Sequence, residues 1–110
     1  MPNLKKRPAK NMEVRNQVKD SKFYGSIFSV ENRQEAEKRI EEIKVKYSDA
    51  SHNVSAFRLE GPKLDQDPVE YFDDDGEPSG SSGPPVLEAI KGEELLNTVI
   101  IITRYFGGTK

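Results

Sequence analysis

Residues 98–105 read TVIIITRY, and this run limits the fold more than any other stretch of the chain. It is apolar and β-branched from Val99 to Ile102 and shows no alternation before Arg104. β-Branched side chains are stiff and pack well on a pleated surface. A strand that lacks alternation is the kind found in the middle of a sheet, covered on both sides. The material for such a cover is scarce, because 34% of the 110 residues are hydrophobic and 33% are charged. One small domain with a thin core is therefore expected.

The remaining elements follow from local pattern. Residues 22–30 (KFYGSIFSV) set Phe23, Gly25 and Ile27 on one side and Tyr24, Ser26, Phe28 and Val30 on the other, which predicts a strand with apolar groups on both faces. Gly25 marks a bulge or a close approach of backbone. Asn32 with Glu35 three residues on is a helix start, and Ala36, Ile40, Ile43 and Tyr47 then form one helical stripe. Glu35–Arg39, Lys38–Glu42 and Glu42–Lys46 have the spacing of ion pairs along the outer side. Residues 52–60 (HNVSAFRLE) alternate and read as a second strand, stopped by Gly61-Pro62. Residues 69–72 are short enough for a minor strand. Ser81 or Ser82 caps a second helix, with Pro84 and Pro85 in its first turn, Val86, Leu87, Ala89 and Ile90 on its buried side, and Gly92 as its stop. Two helices are too few to cover both faces of a sheet, so the expected class is α+β, as a two-layer sandwich.

Composition removes several kinds of chemistry. Without cysteine, disulfides, thiolate metal sites and thiol catalysis are excluded, and a single histidine makes a His-rich metal site equally poor. The longest apolar run is far below the roughly 20 residues that span a bilayer. Residues 1–10 are basic but lead into no apolar segment, so no signal peptide is expected and the cytoplasm is the expected location. Residues 1–19 hold six basic groups against one acidic, a net +5, so the rest of the chain carries −7 of the total −2. Residues 1–18 read as a basic disordered tail, either solvated or turned toward nucleic acid or an acidic partner. Residues 19–110 read as the domain.

Candidate chemistry gathers in residues 73–83 (DDDGEPSGSSG). Asp65, Asp67, Glu70, Asp73, Asp74, Asp75 and Glu77 place seven carboxylates in thirteen residues with no basic residue among them. Three readings stand: a solvated loop, a loop facing a partner or an arginine, and an oxygen-ligand site for Mg²⁺ or Ca²⁺, although the EF-hand spacing is absent. The segment around Ser79 runs into a helix, where free N–H groups can meet an anion. The alternative is a flexible turn with a serine cap. Arg104 ends an apolar strand, and burying a lone charge is costly. It either pairs with residues 73–77 or binds an anion or partner. Tyr105 precedes a glycine-rich end that closes on Lys110, and it either packs in the core or stacks on a partner. His52 and Asn53 begin a strand. A general base there needs an orienting partner and a substrate, and a hydrogen-bonded structural histidine is the simpler reading.

Four strings, KDSKFYG, SHNVSAFRL, DDDGEPSG and TRYFGG, occur in the order and at the spacing of the IMPACT/YigZ family, which this chain resembles over residues 19–110. The resemblance implies a fold like the second domain of ribosomal protein S5. It also implies a chain that continues past GGTK into a glycine-rich turn and a helix, so the domain is expected to be incomplete at its C-terminal end. Eukaryotic members look like regulators of translation under amino-acid starvation, competing for the activator of the kinase that phosphorylates initiation factor 2. Bacterial members look like two-domain proteins whose role has been guessed to be nucleic-acid binding. The expected function is thus a non-enzymatic regulatory domain that binds a protein of the translation machinery or its stress-kinase pathway. The binding surface would carry Asp74, Asp75, Glu77, Ser79, Arg104, Tyr105 and Lys110, with no cofactor and no membrane. An RNA- or ribosome-binding module is the alternative, and a Mg²⁺-dependent enzyme on a phosphorylated substrate is a third.

Overall fold

The computed structural model describes residues 11–18, 21–61, 67–76, 80 and 82–105. In chain order the elements are β1 (Met12–Val18), β2 (Ser21–Ser29), α1 (Arg33–Lys46), β3 (His52–Leu59), β4 (Val69–Asp73), α2 (Gly83–Gly92) and β5 (Thr98–Tyr105). The strands form one sheet of order β1-β2-β5-β3-β4. Every neighbouring pair is antiparallel. The TVIIITRY run is therefore the middle strand, flanked by β2 and β3.

The α+β class expected from the sequence is the class observed, but the layering departs from a simple sandwich. Successive residues of a strand point to opposite faces. Phe57 and Leu59 of β3 and Val99 and Ile101 of β5 pack with Ala36, Ile40 and Ile43 of α1. Ala56 of β3 packs with Leu87 and Ile90 of α2, beside Ile100 of β5. The two helices therefore lie on opposite faces, one to each. The absence of alternation in β5 is the sequence mark of this arrangement, since both of its faces meet a helix layer.

Residues 12–18 correct the expectation of a disordered tail, because they form β1 and pair with β2 in unbroken register from Met12 against Ile27 to Val18 against Ser21. Met12, Val14 and Val18 do alternate with Glu13, Arg15 and Gln17, a strand period too short to stand out in the basic start of the chain; residues 1–10 lie outside the described residues. Gly25 is no bulge: it sits in regular register between Val14 and Ile102.

Helix α1 begins as expected. The Asn32 side chain accepts from the Glu35 N–H at 2.8 Å. Glu35 reaches back one residue further than the usual reciprocal cap and accepts from the Glu31 N–H at 2.6 Å. That return uses the carboxylate expected to pair with Arg39. The observed ion pairs along α1 are Arg33–Glu37 and Arg39–Glu42, and Lys46 turns to Glu13 of β1. Where β2, β3 and β5 meet at the opposite end, Asn97 acts as a clip. It is buried with a positive φ of 54°, its side chain accepts from Glu60 N–H, and its carbonyl accepts from Val30 N–H, both at 2.9 Å.

Candidate binding site at the acidic turn

Strand β4 pairs with β3 only as far as Asp73 against Ser55, and the acidic turn begins there. Asp75 and Gly76 take positive φ values of 49° and 87°, which reverse the chain. The Asp75 N–H donates to the Asp73 carboxylate at 2.9 Å, a local bond typical of aspartate in turns. The turn then lies along the start of β3, on the edge that β4 does not reach. The Asn53 N–H donates to the Asp75 carboxylate at 2.6 Å. His52 Nδ1 lies 2.7 Å from the Asp75 carbonyl oxygen, which can only accept, so this nitrogen carries the proton. Lys44 of α1 stands 3.7 Å from Asp73 and 3.9 Å from Asp75.

Asp74 has a different task. Its carboxylate accepts from the N–H groups of Gly80 at 2.9 Å, Ser82 at 2.9 Å and Gly83 at 2.6 Å. The last two belong to the start of α2, where N–H groups lack a partner within the helix. The bonds, that from Gly83 first, hold the Asp74 carboxyl below its ordinary pKa. Ser82 occupies the cap position of α2 without a side-chain capping bond, so the expected serine cap is replaced by a carboxylate from the preceding turn. Of the two readings open there, the anion's place is taken by the chain's own carboxylate, while Ser81, the other cap candidate, lies outside the described residues. Gly83 is required by packing: a Cβ there would come within 2.6 Å of the Phe72 ring.

Asn53 continues the network into the protein. It is buried, its amide donates to the Tyr47 carbonyl at 3.2 Å, and its side-chain oxygen accepts from Thr103 Oγ1 at 2.7 Å. His52 stands opposite Arg104 in the β3–β5 register, and Phe23 stands opposite Arg104 in the β2–β5 register. The Arg104 guanidinium lies 5.8 Å from the centre of the Phe23 ring, on the α2 side of the sheet. The described carboxylates of the turn engage Lys44 and backbone N–H groups.

Tyr105 points to the α1 side. Its ring meets Tyr24 and Tyr47 edge-on at 5.8 and 6.5 Å, and those two stack on each other at 5.2 Å. The Tyr105 hydroxyl donates to Asp49 at 2.8 Å; burial first, then this bond, pushes the phenol up to about 12. Tyr47 donates to Glu13 at 2.6 Å, and burial, aided by Glu13, raises its pKa as well.

The structure thus gathers His52, Asn53, Asp74 and Asp75 around one turn, with Arg104 one strand away. Tyr105 is on the other face, while Glu77, Ser79 and Lys110 lie outside the described residues. Lys44, Thr103 and the tyrosine cluster were not anticipated. Tyr24 and Tyr47 sit on the predicted strand face and helix stripe, so period marks them. Nothing in the sequence joins Lys44 to the turn. Among the described residues, no three histidine, aspartate or glutamate side chains converge on a metal-sized point. No described helix is long and apolar enough to cross a membrane.

Fold and turn together define a small α+β domain whose glycine-punctuated acidic loop is held in place by its own carboxylates. The chain belongs to the Impact N-terminal domain family, which it matches over residues 19–110. It is 39% identical over 93 residues to the IMPACT family member YvyE of Bacillus subtilis, a match covering 84% of this chain and 41% of that protein. It is 29% identical over 101 residues to the IMPACT family member YigZ of Escherichia coli, covering 92% of this chain and 48% of YigZ. The chain therefore spans less than half the length of these curated relatives. A crystal structure described as a hypothetical protein superposes with a TM-score of 0.83 at 28% identity, covering 94% of this chain and 50% of that one. The two-domain translational regulator Yih1 shares the fold, with a TM-score of 0.58 at 24% identity over 91% of this chain and 37% of Yih1.

Proposed function

We propose that this chain is a cytoplasmic, non-enzymatic domain that regulates translation by binding a protein of the translation machinery or of its starvation-linked kinase pathway. The binding surface we propose comprises Asp74, Asp75 and Arg104 at one end of the sheet, with Tyr105 of the opposite face and with Glu77, Ser79 and Lys110, which the sequence nominates and which lie outside the described residues. One observation carries this reading: the described carboxylates of the turn are spent on shaping it. Asp74 holds the start of α2 and Asp75 holds the start of β3. Carboxylates fixed in this way preorganise the described residues of the turn, which lowers the ordering cost of binding there. Family membership supports the link to translation. The likeness to Yih1 contributes the fold only.

The test is a crosslinking recovery from lysate, with and without RNase, using this chain and an Arg104→Ala variant checked for folding by circular dichroism. Translation-factor or ribosomal proteins that survive RNase and vanish with the variant are expected. Recovery unchanged by the variant would remove Arg104 from the site. Recovery abolished by RNase would favour an RNA- or ribosome-binding module. A Mg²⁺-dependent rise in Tm would instead favour the enzyme reading.

A further inference from the structure

The C-terminal end of α1 touches two parts of the molecule that begin at opposite edges of the sheet, β1 and the turn that follows β4. Toward β1, the Glu13 carboxylate accepts from the Tyr47 hydroxyl at 2.6 Å and stands 3.3 Å from the Lys46 ammonium. Toward the acidic turn, the Tyr47 carbonyl accepts from the Asn53 side-chain amide at 3.2 Å, and the Asn53 N–H donates to the Asp75 carboxylate at 2.6 Å. Asn53 is buried and its side-chain oxygen accepts from Thr103, so its amide has a fixed direction.

The seat beneath this end of the helix is weak. Ser26 and Ser55 stand opposite Ile101 from either side, so they share its α1 face. They are 1% and 0% exposed, and neither hydroxyl has a hydrogen-bond partner among the described residues. Burying an unpaired hydroxyl costs free energy, and the cost falls on the row beside Tyr24 and Asn53, where Tyr47 sits. The first half of α1 is seated on rings instead, with Arg33 over Phe57 and Arg39 over Phe28.

We propose that the C-terminal turn of α1 is a two-position latch through which β1 controls the shape of the acidic turn. Seated, it holds Asn53 in the line that fixes Asp75. Released from Glu13, it withdraws the Tyr47 carbonyl from Asn53, and Asp75 loses its positioned N–H. The poor seat brings the two positions close in free energy, as a switching element requires. Lys44 offers only a secondary route, because its ion pairs at 3.7 and 3.9 Å are about a third exposed and therefore weak. Coupling is reciprocal: whatever binds the acidic turn holds β1 in place, and whatever displaces β1 loosens the turn. That regulatory meaning rests on the binding reading of the turn, whereas the coupling itself does not.

A line of contacts becomes a coupling only when one end is seen to move the other. The test is amide hydrogen exchange on the chain alone, without a partner. Tyr47→Phe removes the hydroxyl bonded to Glu13 and keeps the ring that stacks on Tyr24. It is expected to speed exchange at the Asn53 and Asp75 amides about fivefold while Ile101 of the central strand keeps its native rate. Glu13→Gln keeps an acceptor for Tyr47 and drops the charge facing Lys46, so a smaller change at the same two amides is expected. The control is Ala36→Gly, which weakens α1 at its other end. Native rates at Asn53 and Asp75 in both latch variants overturn the proposal. So does equal acceleration at Ile101, which means global destabilisation, or an equal effect from Ala36→Gly, which means general loosening of the helix. In urea unfolding, Tyr47→Phe and Asp75→Asn are expected to couple about fivefold in the folding equilibrium constant, and additive effects overturn the proposal. Native exchange with intact Arg104-dependent recovery from lysate refutes the latch and leaves the turn reading standing. Selective exchange with recovery that ignores Arg104 does the reverse.

Discussion

The two faces of the sheet share the same central strand and are finished differently. On the α1 side, Val30, Phe57, Val99 and Ile101 are fully buried and the helix stripe closes over them. The polar end of that face is completed by the Asn53–Thr103 pair and by a cluster of three tyrosines, of which Tyr47 donates to Glu13 and Tyr105 to Asp49. On the α2 side, the buried cluster is Ala56, Leu87 and Ile90, and beyond it the isoleucines of β5 line an open groove. The strand's composition is alike on both sides, so helix placement decides which face is closed core and which is accessible surface.

Substitutions can break this contrast in order of expected size. Phe57→Ala removes a fully buried ring stacked on Tyr71 at 4.8 Å and is expected to cost about 3–5 kcal/mol in urea unfolding. A loss under 1 kcal/mol would mean that the α1 face is not the stability-bearing one. Thr103→Val leaves the buried Asn53 oxygen without its donor and is expected to cost about 1–3 kcal/mol. Ile102→Ala, half-buried at the groove, should cost about 1 kcal/mol; a loss matching that of Phe57 would show the groove to be closed core in solution. Asp74 is read through pH. Its folded pKa is depressed, so its stabilisation is present above the unfolded value of about 4 and is lost as pH falls through the folded value. The difference in urea midpoint between the native chain and Asp74→Ala should therefore be flat at neutral pH and narrow in acid. A difference that does not depend on pH would rule out the carboxylate cap. Smallest of all, Ala89→Glu, on an exposed position of α2, should leave stability within about 0.5 kcal/mol.

Much of this was legible residue by residue. The Asn32 start and the Ala36–Ile40–Ile43 stripe predict α1 because capping and period are local. TVIIITRY predicts the central strand, and its lack of alternation was the better guide to layering than the number of helices. β1 stayed hidden because the basic residues around MEVRNQV outweigh its short alternation, while its pairing with β2 is a tertiary fact. Within the site, the cluster of acids was visible but its division of labour was not. Asp74 bonds N–H groups six to nine residues ahead, a contact that exists only after the turn has folded back. Ala89 was expected inside and is exposed, because α2 sits toward β3 and β4 and turns that side to the groove.

The strand order carries a consequence for how the chain is made. β5 is the last of the described strands in sequence and the one between β2 and β3, which are bonded to it and not to each other. On an emerging chain, β1 with β2 and β3 with β4 can form only separate hairpins, each with an exposed inner edge, until residues 98–105 arrive to join them. The domain therefore has no stable half. Its assembly waits on β5, and every earlier moment leaves two sticky edges that a nascent chain must keep apart.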